Sequence, residues 1–179
     1  MDVPRHFAES GFIPQTRWFT DEEYTRILDG IVVSCVDCIL VHRGRMLIGF
    51  RASEPYVGWW VLGGRMLPGE SFEDTAQRVT KRETSLHIDD PSRFAYLNTI
   101  SYVWTKRAQS PRGHGCHMIG NNVMIVLSDE EASAIRKMSD FTALQWIAPN
   151  EVLRAGGAEF HEAIHYFARE VAQREGRSA

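Results

Sequence analysis

Apolar positions between residues 71 and 86 recur at helical spacing, with Phe72, Ala76, Val79, Glu83 and Leu86 falling on one stripe. At roughly 100° per residue that stripe is about 80° wide, and Glu83 stands near its middle. Ser71 reads as the N-cap, and Asp74 three residues on completes a variant capping box with Asp in place of the usual Glu or Gln. Thr20-Asp21-Glu22-Glu23 marks a second helix start, with a threonine cap and acids in the first turn, running to about Leu28. Further helices are predicted over residues 128 to 137 and 159 to 174. Runs rich in β-branched and aromatic residues predict strands near residues 31 to 41, 45 to 50, 58 to 62, 94 to 104, 119 to 127 and 142 to 147. His42-Arg43-Gly44 between the first two is a hairpin signal, so the sheet is at least partly antiparallel. These elements predict an α/β fold, a mixed sheet packed by helices, without internal repeats.

Composition narrows the classes. A chain of 179 residues with 44% hydrophobic content can bury a full core. No Pro-, Gly- or Ser-rich linker divides it, so residues 31 to 179 read as one domain preceded by an N-terminal extension over residues 1 to 30. That extension leaves open a homodimer, in which it covers a neighbouring subunit, or a place over an edge strand of its own chain. A net charge of -3 with no basic face argues against a nucleic-acid partner. No run of about 18 apolar residues predicts a membrane span, and Asp2, Arg5, His6 and Glu9 do not make a signal peptide. With three cysteines, an odd number that suits a reducing compartment, the expectation is a cytoplasmic protein.

Glu83 is the first chemical clue. An unpaired charge on a buried face costs several kcal/mol, so this carboxylate is expected to hold a cation or pair with an arginine. Gly63 and Gly64 precede it in a loop where positive φ and a close backbone approach to ligand are expected, and Pro68-Gly69 reads as the turn before the helix. A helix N-terminus, a cation-holding acid and nearby arginines together point to phosphate.

Gly64, Glu70, Arg78, Glu83 and Leu86 fall in register with five positions of the box G-x5-E-x7-R-E-U-x-E-E-x-G-U, where U is aliphatic, and here the chain resembles the Nudix hydrolases. Val79 and Arg82 stand where that box has glutamates, Thr80 replaces an aliphatic residue, and Ser85 replaces the last glycine. One branch, the GDP-mannose mannosyl hydrolases, lacks the same two acids and is more similar. Its segment is like Gly63-Gly64-Arg65, Glu70 and Arg78-Val79-Thr80-Lys81-Arg82-Glu83, and the likeness extends to Val36-Asp37-Cys38-Ile39, to residues 43 to 51 and to Gly58-Trp59-Trp60-Val61. Altogether it runs roughly over residues 33 to 146.

The resemblance implies a Nudix-type α/β/α sandwich and cleavage of a nucleoside diphosphate sugar at the sugar carbon. It implies one Mg2+ or Mn2+ ion held by Glu83 and the Gly63 carbonyl, with Arg51 on the departing phosphates and Asp37, Arg65 and Arg78 as further polar contacts. A single glutamate suffices if the diphosphate completes the shell of a hard cation. The branch keeps a metal ligand and a histidine base before its last strand; Asp140 and Phe141 take those places here, leaving Asp140 as metal ligand or proton acceptor. A histidine from the stretch Gly113-His114-Gly115-Cys116-His117, predicted as a flexible loop, is the other candidate base, against the plain reading of an exposed polar loop. Asn121 and Asn122 are polar where a strand should be apolar; one of them is expected to touch substrate, and Asn122 is the candidate.

Other patterns carry less. Cys35 and Cys38 have C-x-x-C spacing, but residues three apart on a strand face opposite sides and cannot close on one metal. His161-Glu162-Ala163-Ile164-His165 satisfies the zinc-peptidase pattern H-E-x-x-H, yet it lies beside the apolar stripe Phe160, Ile164, Phe167 and Val171 of an amphipathic helix. Trp59, Trp60, Tyr102 and Trp104 offer stacking surface. They suit either the hydrolase or an inactive domain of the same fold that binds a nucleotide sugar.

Overall fold

A computed structural model describes residues 4–15, 17–138 and 141–178. Along the chain the elements are α1 Asp21–Gly30, β1 Val33–His42, β2 Arg45–Arg51, β3 Gly58–Trp60, β4 Leu62–Arg65, α2 Phe72–Thr84, β5 Ala95–Trp104, β6 Cys116–Val126, α3 Asp129–Ala134, β7 Phe141–Ile147, α4 Pro149–Arg154 and α5 Glu162–Ser178. Seven strands make one mixed sheet. β1 is its axis: β6 runs parallel along one whole edge, while the other edge pairs antiparallel with β4 at Cys35 to Cys38 and with β2 at Val41 and His42. In the same way β2 takes β7 along one edge, and β1 then β3 along the other.

Alternation along β1 splits the core into two layers, because successive side chains leave a strand on opposite faces. Ile39 and Val41 pack with Ile164, Phe167 and Val171 of α5 on one side. Val36, Cys38 and Leu40 pack with Ala76 and Val79 of α2 on the other. Cys35 and Cys38 accordingly lie on opposite faces, and the chain has the α/β/α sandwich. No helix among the described residues is long and apolar enough to cross a membrane.

Most predicted elements stand within a few residues of their expected ends, and the structure differs from expectation in four respects. The stretch expected as one strand over 58 to 62 is two, β3 and β4, which pair with different partners. Gly63 and Gly64, expected in a loop, are therefore extended sheet residues of β4 and are not among the glycines with positive φ. β6 begins at Cys116, earlier than expected, and draws His117 out of the loop. Pro149 at the first turn starts the short helix α4, which the apolar periodicity did not mark.

The capping box of Ser71 and Asp74 is present, with the Asp74 amide donating to Ser71 Oγ at 3.1 Å and the Ser71 amide to Asp74 Oδ2 at 3.0 Å. At the other end α2 stops at Thr84, and Ser85 takes the left-handed conformation at φ 61°, its amide donating to the Lys81 carbonyl at 2.9 Å. Glycine adopts that conformation without the clash a Cβ brings. Ser85→Gly is expected to stabilise the fold by about 1 kcal/mol in urea unfolding; a variant no more stable than the parent would show that this helix end is unstrained.

Candidate active site

Where β1 runs between β4 and β6, Asp37 pairs in register with Gly63 on one side and Asn122 on the other. Its side chain lies on the α5 face with Ile39, only 6% exposed. Glycines make the room: a Cβ on Gly63 would overlap Asp37 Oδ1, and one on Gly120 would stand 3.1 Å from Oδ2. This close approach, rather than positive φ, is what requires a glycine at 63. Burial pushes the Asp37 carboxyl up to about 7, against the opposing pull of the Arg51 guanidinium and the Trp60 indole. Asp37 and Arg51 line a cleft of about 280 Å³ together with Gly63, Arg65 and Glu83. Trp60, Tyr102 and Trp104 form its aromatic wall. Trp60 meets Tyr102 and Trp104 edge-on, with ring centroids 5.6 and 5.7 Å apart. Burial also pushes the Cys35 thiol in the cleft up to about 12, which leaves it protonated at neutral pH.

Glu83 is 1% exposed, as its place on the apolar stripe of α2 required. The residue before it supplies a counter-ion. Arg82 Nε donates to Glu83 Oε1 at 2.6 Å, Nη2 pairs with the same oxygen, and Nη2 also donates to the Gly63 carbonyl at 3.0 Å. The two donors assigned to a metal ion, one carboxylate oxygen and one carbonyl oxygen, thus both lie against a single guanidinium. Val79, at the other missing acid of the box, is fully buried beside Gly64. Among the described residues no three His, Cys, Asp or Glu side chains are grouped to hold a metal. Nudix hydrolases generally use Mg2+ or Mn2+, but the donors among the described residues, with one guanidinium against both, do not fit a resident divalent ion.

Arg78, expected at the substrate, holds the loop ahead of α2. Its Nε and Nη2 reach the two Glu70 oxygens at 2.5 and 2.7 Å, and Nη2 reaches the Arg65 carbonyl at 2.9 Å. The Leu67 amide and Thr75 hydroxyl donate to Glu70 as well. Burial opposes ionisation of Glu70, yet these donors hold its carboxyl below the usual range. The same clamp fixes Arg65, whose guanidinium stands over the rings of Phe19 and Tyr24 at 5.3 and 5.2 Å. Tyr24 and Arg65 are shared with a second chamber of about 510 Å³, which Arg17, Trp18, Arg78 and Arg82 also line. Trp18 and Phe19 were not singled out in the sequence, because they lie in the N-terminal extension outside any motif.

Several expected site residues lie elsewhere. Asn122 is fully buried and donates to Asn98 Oδ1 at 2.7 Å and the Gly120 carbonyl at 3.3 Å, so it braces the strand beneath the cleft instead of lining it. His114 pairs with Asp29 of α1 at 3.2 Å, and His117 with Ser101 at 2.9 Å. Both line a separate hollow, not the cleft, and buried Arg107 reinforces the tie to α1 by donating to Asp29 at 2.7 Å. The H-E-x-x-H segment does not present two imidazoles on one helix turn. His161 precedes α5, accepts the Ala163 amide at 3.1 Å and packs on Trp60 and Trp104, while His165 packs on Phe160. Phe141 walls the cleft and is seated on Gly49, where a Cβ would overlap its ring. Asp140 lies outside the described residues.

The chain is similar to known proteins in the same terms. A NUDIX domain model matches residues 31–166. Over 92 residues it is 35% identical to the low-salt glycan biosynthesis protein Agl8 of Haloferax volcanii, a match covering 51% of this chain and 56% of that relative, so it spans little more than half of the relative's length. Among solved structures it is similar to the MutT protein of Methanosarcina mazei Go1, with a TM-score of 0.57 and 16% identity over 78% of this chain and 94% of that one. It is also similar to an Ap4A hydrolase of C. elegans, with a TM-score of 0.53 and 15% identity over 79% and 99% of the two chains. Identities this low show the fold alone. The family model, which spans most of the chain and includes the box helix with Glu83 and the β1 strand with Asp37, shows that this chain belongs to the Nudix family.

Proposed function

We propose that the chain hydrolyses a nucleoside diphosphate sugar of the GDP-mannose type at the sugar carbon, releasing nucleoside diphosphate and free sugar. The observation that carries this is the pairing of an aromatic-walled acidic cleft with an arginine-lined chamber, joined at Arg65 and Tyr24. A sugar ring fits the cleft against Trp60, Tyr102 and Trp104, since aromatic faces pack well on the apolar face of a pyranose. The diphosphate lies between the Arg51 side of the cleft and the junction at Arg65, and the two arginines offset the charge that grows on a leaving diphosphate. The nucleoside extends toward Trp18, which is 95% exposed and free to stack on a base. Asp37, on the floor beside Arg51, is the carboxylate placed to take a proton from the attacking water.

Attack at carbon follows from what the site lacks at phosphorus. Val79 and Arg82 replace the two acids that would assemble ions around an attacking water, whereas arginines alone can stabilise a departing diphosphate. The relative named for glycan biosynthesis supports a sugar-bearing substrate. One observation favours a second reading, a domain that binds the same ligand without turnover: Phe141 occupies the place of the base in the resembling branch and can accept no proton.

The test is a screen of nucleoside diphosphate sugars in oxygen-18 water with both products read by mass. The expected result is unlabelled nucleoside diphosphate and label in the free sugar. Nucleoside monophosphate with sugar phosphate, or label in phosphate, rejects the proposal; ligand binding with no products gives the lead to the binding domain.

A further inference from the structure

Arg82 is the residue in this site that the family pattern explains least. It stands where the box has a glutamate, and its guanidinium does not turn outward from α2 but folds back onto Glu83 Oε1 and the Gly63 carbonyl, the two oxygens that a metal ion would take. Glu83, at 1% exposed, needs a cation beside it, and Arg82 supplies one from inside the chain. Gly64 has the matching shape: a Cβ there would stand 3.2 Å from Arg82 Nη2, so a larger residue would press on the guanidinium. The Arg82 side chain is 40% exposed and lines the second chamber beside Arg65 and Arg78. The cation is therefore committed to the cleft oxygens, and the residue also borders the space proposed for the nucleotide.

We infer that Arg82 is a built-in replacement for the divalent ion: its guanidinium holds Glu83 and the Gly63 carbonyl in place and sets a fixed positive charge beside the substrate diphosphate, so that the site works without Mg2+ or Mn2+. The inference rests on the nucleoside diphosphate reading above. A guanidinium suits the task because its planar fork spans the carboxylate and the carbonyl oxygen at once and never loses its charge. An entering dication would have to expel Arg82 from both oxygens and then remain next to a like charge, which opposes metal binding at any occupancy of the pocket.

Two measurements on the full chain test it. Calorimetric titration with guanosine diphosphate and uridine diphosphate compares wild type, Arg82→Ala and Arg82→Lys in EDTA and in Mg2+. Wild type is expected to bind one of them with a Kd that differs less than about twofold between the buffers. Arg82→Ala is expected to weaken binding at least about tenfold in EDTA and to recover with Mg2+, and Arg82→Lys, which keeps charge but not the fork, to fall between. Electron paramagnetic resonance of Mn2+ with the chain alone reads the same oxygens without any nucleotide, so it also serves if Arg82→Ala is poorly folded as a nucleotide binder. Wild type is expected to leave Mn2+ free, and Arg82→Ala to bind it at least about tenfold more tightly than wild type. Wild-type binding that collapses in EDTA and returns with Mg2+, or a Mn2+ site in wild type as tight as in Arg82→Ala, overturns the inference while leaving the substrate reading intact. Failure of both nucleotides to bind in either buffer overturns both.

Discussion

Asp37→Asn is expected to lower turnover about a hundredfold or more, the usual range for a lost general base, while making the protein more stable above pH 7. The stability effect follows from the direction of the pKa shift. A carboxyl raised from 3.8 to about 7 keeps its proton in the folded state where the unfolded chain has already lost it. Folding therefore weakens as pH rises from about 4 to about 7, and the full penalty is present above that window. At about 1.36 kcal/mol per pH unit the penalty is on the order of 4 kcal/mol, an upper figure because Asn must still satisfy its amide where Asp37 is buried. Melting temperatures of the two proteins should coincide near pH 4, separate as pH rises to about 7 and keep that gap to pH 8, with the variant higher. A gap independent of pH, or a wild type more stable at pH 8, would mean that Asp37 is not held protonated by burial. In the same experiment the wild-type rate should rise along a limb near pH 7, and a rate flat across that region would point to another base.

Arg51→Ala is expected to reduce kcat by about a hundredfold to a thousandfold, the cost of removing one group that stabilises charge developing in the transition state. The loss should fall on kcat more than on KM, because the diphosphate gains negative charge only as its bond to sugar breaks. A second signature separates this role from mere folding. Arg51 holds the Asp37 carboxyl down against burial, so its removal should move the rising limb of the pH profile to higher pH. Arg51→Lys should restore part of the rate and return the limb toward its wild-type position. A variant that changes KM alone, with the limb in place, would make Arg51 a ground-state binding group.

Much of this protein was already written in local pattern. The period of about 3.6 residues placed Glu83 on the buried face of α2, and Ser71 with Asp74 marked where that helix begins; both are local consequences of backbone geometry, so neighbouring residues suffice to read them. Alternation along residues 33 to 42 separated Cys35 from Cys38 and directed Asp37 inward for the same reason. The resemblance to the mannosyl hydrolase branch brought Arg51, Gly63, Arg65 and Glu83 into consideration before any contact among them was known, and the fold gathers these with Asp37 around one cleft.

The tertiary structure alone decided what those residues face. Whether 58 to 65 formed one strand or two depended on β1 and β2 diverging to accept different partners, which no property of the segment itself reveals. The histidines of residues 113 to 117 were drawn from catalysis by Asp29 and Ser101, partners 85 and 16 positions away. Arg82 shows the physical reason most clearly. Consecutive residues on a helix point about 100° apart and do not ordinarily meet, so adjacency to Glu83 predicts no ion pair. Only the packing of α2 against β4 brings the Gly63 carbonyl, 19 positions earlier, to the spot where the Arg82 guanidinium can grip both oxygens. Periodicity is set by the geometry of one element, whereas the charge that balances a buried carboxylate is set by whichever element the fold presses against it.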